Sequence, residues 1–134
     1  MTHTPGIALA TEIAAQIGTL TLGTNLFHSS LRAPSASVPK DCVFVWLSGG
    51  VSPLRVMGEA KEIRTTVVMV QIRDSSFGDG NTLALDIMNG IQAASVATYL
   101  DIVAATAGPR MLGQDDLSLH HFGMEYLMTY EETA

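Results

Sequence analysis

The stretches CVFVWLSGGVSP (Cys42–Pro53) and TTVVMVQIRDSSFGDG (Thr65–Gly80) decide the fold. Each contains a short run of β-branched, aromatic and long apolar residues closed by Gly, Pro, Asp or Ser. Runs of this length and punctuation read as buried strands rather than helices. In the strand Cys42–Ser48, Val43, Val45 and Leu47 fall on one face while Cys42, Phe44 and Trp46 fall on the other. A second strand runs from about Ile63 to Arg73. There Val68, Val70 and Ile72 oppose Val67, Met69, Gln71 and Arg73. Both strands are thus apolar on two sides. Between them, Gly49-Gly50 begins a segment that reaches Glu62 and holds Pro53, Gly58 and mixed charge. It reads as a long, mobile loop.

Downstream, Asp74–Gly80 is turn chemistry, and Asp79 is the expected N-cap of a helix ending near Val96. Leu83, Ile87, Ile91 and Ala94 form its apolar stripe, with Ala84 and Met88 beside it. Upstream, Thr4-Pro5 supplies a cap and a proline at the first helical position, so a helix is expected over Gly6–Leu20 with Leu9, Ile13, Ile17 and Leu20 inward. Thr24–Phe27 reads as a short strand, and Ala33–Pro39 as an extended connector. Tyr99–Ala105 and Leu117–Tyr130 are the last strands, separated by an irregular loop over Gly108–Asp116. Phe122, Met124, Tyr126, Met128 and Tyr130 share one face of the final strand. The expected order is α-β-β-β-α-β-β, a single α+β domain over residues 1–134.

This order leaves apolar surface over. Two packed helices span roughly 20 Å, about the width of five strands at ~4.8 Å spacing. They shield one face of the sheet. The other face, as apolar as the first, is expected to meet another subunit. The competing expectation is that the 49–62 loop and Ala33–Val38 fold back over it.

Composition narrows the function. Hydrophobic residues make up 47% of the 134 and charged residues 15%, yet the longest apolar runs fall far short of a membrane span. The start, Met1-Thr2-His3-Thr4-Pro5, lacks the basic residues of a signal peptide, so a soluble cytosolic product is expected. Seven Lys and Arg against thirteen Asp and Glu give −6, and the cations are scattered. Sustained binding to nucleic acid, which needs clustered cations, is not expected. The single cysteine, Cys42, forms no internal disulfide and reads as a buried apolar residue.

Candidate chemistry is sparse. His120 and His121 are adjacent on a strand, point to opposite faces and cannot share one metal ion. His3 and His28 have no companions at ligand spacing. There is no Gly-x-Ser-x-Gly elbow, and Gly49-Gly50 is not followed by the Lys-Ser/Thr of a phosphate loop. Asp74/Asp79 and Asp115/Asp116 lack calcium-loop spacing and read as turn and capping residues. No catalytic, cofactor or metal residue is assigned, and the protein is expected not to be an enzyme. A small enzyme using His120 and His121 with the 109–116 carboxylates is the alternative of another class.

The same stretches carry a resemblance. Helix one leading into Thr24-Asn25-Leu26-Phe27, then Val43-Phe44-Val45-Trp46-Leu47 with Gly49-Gly50 and Pro53-Leu54-Arg55, resembles the tail terminator and related minor capsid or neck proteins of long-tailed bacteriophages. The likeness continues through Val68–Arg73, the helix over 82–93, Pro109 with Leu112-Gly113, and the last aromatic strand. Phe77 stands where that pattern has a tyrosine before the second helix. The resemblance implies two helices on a mostly antiparallel sheet and a virion protein of the tail or neck, assembled in the host cytoplasm. It implies a homo-oligomeric ring, commonly a hexamer, that stops tail-tube polymerisation and joins the tail to the head. Its partners are then the tail-tube protein and a head-completion protein, and DNA passes through without specific binding. No cofactor is implied. Trp46, Val67, Met69, Gln71 and Arg73 are the expected subunit contact, and Arg55, Lys61 and Arg64 the expected lumen- or tube-facing loop. A monomeric head–tail adaptor is the alternative within the same class.

Overall fold

Two fourteen-residue strands, Lys61–Asp74 and His120–Thr133, pair antiparallel over fourteen consecutive register positions and carry the rest of the sheet on their outer sides. The computed structural model describes residues 4–28, 39–50, 53–55, 58, 61–92, 99–105, 108–115 and 118–133. In chain order the elements are α1 (Pro5–Gln16), β1 (Leu26–Phe27), β2 (Cys42–Gly50), β3 (Leu54–Arg55), β4 (Lys61–Asp74), α2 (Phe77–Gln92), β5 (Tyr99–Ala104), β6 (Arg110–Gln114) and β7 (His120–Thr133). The sheet runs β1-β2-β4-β7-β5, with β3 added beside β4 and β6 beside β7. Among the strands of the described residues, β1 and β2 pair in parallel and the other pairings are antiparallel. The fold is therefore α+β with two helices and a mostly antiparallel sheet, as expected. Among the described residues the sheet has seven strands rather than about five, and the order becomes α-β-β-β-β-α-β-β-β.

The helices lie on one face. Leu9, Ala10 and Ile13 of α1 and Ala84, Ile87, Met88 and Ile91 of α2 close a core with Val43, Val45, Val68, Val70, Ile72, Phe122, Met124, Tyr126 and Met128. These sheet residues alternate along their strands, so one parity of each strand is consumed by the helices. Among the described residues no helix is long and apolar enough to cross a membrane.

Several element ends differ from expectation for identifiable reasons. α1 stops at Gln16 because Ile17 is extended (φ −113, ψ 102). Leu20 still reaches the core, from a turn closed by its N–H on the Ile17 carbonyl at 3.1 Å. α2 begins at Phe77, and the Ser76 hydroxyl, 3.4 Å from the Asp79 N–H, sits at its cap. Asp79 lies instead in the first turn, where its charge favours the helix dipole. Gly49-Gly50 does not open a loop: both glycines stay in β2, paired with Val67 and Thr66. A Cβ on Gly50 would stand 2.8 Å from the Thr65 carbonyl oxygen, so only glycine lets the strand run that close. The expected 49–62 loop contains β3 and the start of β4, and the expected 108–116 loop contains β6. The 33–38 connector, the 93–96 end of the second helix and residues 51–52, 56–57 and 59–60 of the 49–62 segment lie outside the described residues.

Candidate functional site

Cross-strand register sets out the face away from the helices in rows. They read Cys42–Arg73–His121, Phe44–Gln71–Gly123–Arg110, Trp46–Met69–Glu125, Gly49–Val67–Leu127–Val103 and Thr65–Thr129–Asp101. The first rows are closed by the chain itself. Phe44 is fully buried and stacks on Phe27 of β1 at 5.5 Å between centroids. Arg73 is only 1% exposed. Its Nε donates to the Lys40 carbonyl at 3.1 Å and its Nη2 to the Pro39 carbonyl at 2.8 Å. Its guanidinium carbon lies 5.5 Å from the Phe44 ring centroid. Burial pushes the neighbouring Cys42 thiol pKa up, with the Arg73 charge opposing. A thiol so placed packs as a small apolar group, as the sequence implied.

Next to Arg73, His121 is held from both ring nitrogens. Nε2 is 2.8 Å from Asp115 Oδ2, and Nδ1 is 3.1 Å from Gln71 Nε2. A carboxylate oxygen accepts, so Nε2 carries the proton and Nδ1 accepts from the Gln71 amide. Asp115 Oδ1 also accepts the Leu119 N–H at 3.1 Å, which fastens the turn between β6 and β7. His120 points the other way, with the Phe77 ring edge-on at 5.7 Å. Among the described residues no three His, Cys, Asp or Glu side chains are grouped so as to hold a metal ion.

The middle of the face is half covered. Gly123 leaves a notch in β7, where a Cβ would stand 2.8 Å from the Met69 methyl and 3.0 Å from Leu112 Cδ1. Met69 and Leu112 therefore lie over the notch. Trp46, Val67 and Leu127 are half-buried around them. Apolar exposure rises toward the β5 and β6 flank, with Leu100 at 60%, Val103 at 45% and Leu112 at 46%, while Leu47 of β2, at 55%, is exposed from the parity of the helix side. Leu100 and Leu112 are the extra residues of bulges, where β5 skips from Tyr99 to Asp101 and β6 from Met111 to Gly113. A bulge breaks strand alternation and re-aims a side chain.

Of the expected contact residues, Trp46, Val67, Met69 and Gln71 lie together on this face, half-buried. Arg73 lies in the same layer but offers no surface, since two backbone carbonyls take its guanidinium. The expected loop cations sit on strands. Arg55 Nε is 2.9 Å from Glu62 Oε2, Arg64 Nε donates to Glu62 Oε1 at 2.6 Å, and Lys61 Nζ is 3.0 Å from Glu131 Oε1. Glu62, 5% exposed, thus ties β3 to β4. The flank residues Leu47, Leu100 and Leu112 were not singled out by the sequence. Leu47 keeps core parity but is left exposed beside the start of α1, and bulge positions leave no periodic signal.

Charge on the face is of both signs. The strand residues directed there include Lys61 and Arg110 against Asp101, Glu125 and Glu131, while Arg73 is buried and offers no charge to a partner. Two of these pairs are in contact, Lys61 with Glu131 at 3.0 Å and Arg110 with Glu125 at 3.7 Å. Further negative charge lies off this face, on residues such as Glu12, Asp79 and Asp86 of the helices.

No family model matches the chain. No curated protein matches it either. Among solved structures, a chain from the virion of a native gene transfer agent particle is similar at 13% identity, with 95% of this chain and 94% of that one covered and a TM-score of 0.47. Likeness at that level assigns no function.

Proposed function

We propose that this protein is a structural subunit of a phage-like particle, a tail terminator whose copies form a ring at the head–tail junction. The observation that carries the reading is apolar surface on a sheet whose helices both lie on the opposite face. Such surface marks association, and its charges are of both signs, two of its carboxylates being paired with Lys61 and Arg110 of the same chain. The motif resemblance, from Val43–Leu47 through the final aromatic strand, supplies the place in the particle. An acidic ring suits a conduit that must not hold DNA. In this reading no residue does chemistry: the ring ends the tail tube and joins it to a head-completion protein.

Light scattering and negative-stain microscopy of the purified chain test this, with closed rings expected. Tubes grown from the tail-tube protein of the same particle are expected to stay short when the chain is added. A chain that remains monomeric but binds a single copy of a head protein would replace the ring with an adaptor. Binding neither would overturn both.

A further inference from the structure

We infer, resting on the ring reading, that copies join head to tail, with Leu100 and Val103 of β5 seated in a groove between α1 and β2 of the next copy. The groove is an open cavity of about 350 Å³ walled by Pro5, Ile7, Trp46 and Leu47, with Thr4 and His28 as its polar lining. Ile7 and Leu47 are 43% and 55% exposed, so the cavity is rimmed by apolar side chains facing solvent. It lies beside β2, and the sheet order β1-β2-β4-β7-β5 puts β5 on the opposite flank. There Leu100, at 60% exposure, is turned outward by the bulge and Val103 follows at 45%.

The two flanks are unlike, and that decides the symmetry. A two-fold contact needs one patch that matches itself, whereas a hollow on one side and a ridge on the other fit in series. Such a series closes into a ring when the rotation per step divides a full turn. Polarity agrees. The charged residue between Leu100 and Val103 is Asp101, an acceptor, and the groove's polar groups, the Thr4 hydroxyl and the His28 imidazole, can donate. Among the described residues no carboxylate lines the groove to oppose it.

The test uses Leu100→Asp, which spoils the ridge, and Leu47→Asp, which spoils the groove. Both residues are exposed, and unchanged circular dichroism and melting verify the fold; Leu100→Ser and Ile7→Ser serve if an aspartate variant unfolds. Each variant alone is expected to stay monomeric at concentrations at least about tenfold above those where the parent assembles. Mixed one to one, they are expected to form a dimer and nothing larger, because one good ridge and one good groove remain to make a single joint. If the parent forms rings and either variant does so equally well, or the mixture stays monomeric, the joint lies elsewhere and this inference fails while the ring stands. A parent chain that is itself monomeric removes the ring reading, and the joint with it.

Discussion

Replacing Tyr126 with phenylalanine measures how dry the helix-covered face is. Tyr126 is fully buried among Val68, Met124 and the helices, and its hydroxyl lies 3.8 Å from the Met124 sulfur, a weak acceptor. Burial pushes its pKa up to about 12 from an ordinary 10. The folded state therefore keeps the phenolic proton at pH values where the unfolded chain loses it. A raised folded pKa contributes stability that is complete below pH 10 and drains away as pH climbs toward 12. At pH 11 the loss corresponds to about one pKa unit, or about 1 kcal/mol. Urea unfolding at pH 8 and pH 11 supplies the assay. The parent is expected to lose about 1 kcal/mol more than Tyr126→Phe between the two, and the pair to agree closely at pH 8, since a thioether returns little to the hydroxyl. Identical pH dependence in the two proteins would mean that water reaches Tyr126, and that the helices do not seal the face as described.

Asp74→Asn addresses the other end of β4. Burial, helped by Asp41 and Asp79, raises the Asp74 pKa, while the Ser76 N–H bonded to it opposes. Its charged form is thus a burden that lifts as pH falls toward the folded pKa; the amide, still able to accept from Ser76, is expected to raise the melting temperature at pH 7 and flatten the gain the parent shows near pH 4. Gly80→Ala places a Cβ 2.7 Å from Phe122 Cε2 and 3.0 Å from Asp74 Cβ. Overpacking of about 1–3 kcal/mol outweighs the ~1 kcal/mol gain in helix propensity, so urea stability should fall; a rise would show that the Phe122 ring yields. Glu62→Gln leaves Arg55 and Arg64 without their shared carboxylate. Because both arginines are substantially exposed, a small loss of stability is expected at low salt and less at high salt, as followed by urea titration at two ionic strengths.

What the sequence made legible follows from burial. β2 and β4 stood out because both parities are apolar, and α2 because Leu83, Ile87 and Ile91 recur at helical spacing. The limits of α1 did not, since Ile17 and Leu20 continue the stripe although the backbone has left the helix. β3 has two residues and β6 five with a bulge inside, too few for alternation to register. At the candidate site, strand parity placed Trp46, Val67, Met69, Gln71 and Arg73 on one face. Parity carries no information about the carbonyls of Pro39 and Lys40 that take Arg73, nor about the notch at Gly123 that Met69 lies over.

The flanking strands β2, β5 and β6 each slip by one residue against their neighbours, at Ser48, Leu100 and Leu112, while β4 and β7 keep perfect step. A strand with such a slip is a poor template for a foreign chain seeking backbone hydrogen bonds. An apolar protein at high concentration would otherwise be prone to fibrillar stacking. Interruptions at its margins favour contacts made by side chains, which can come to an end, over ladders, which need not.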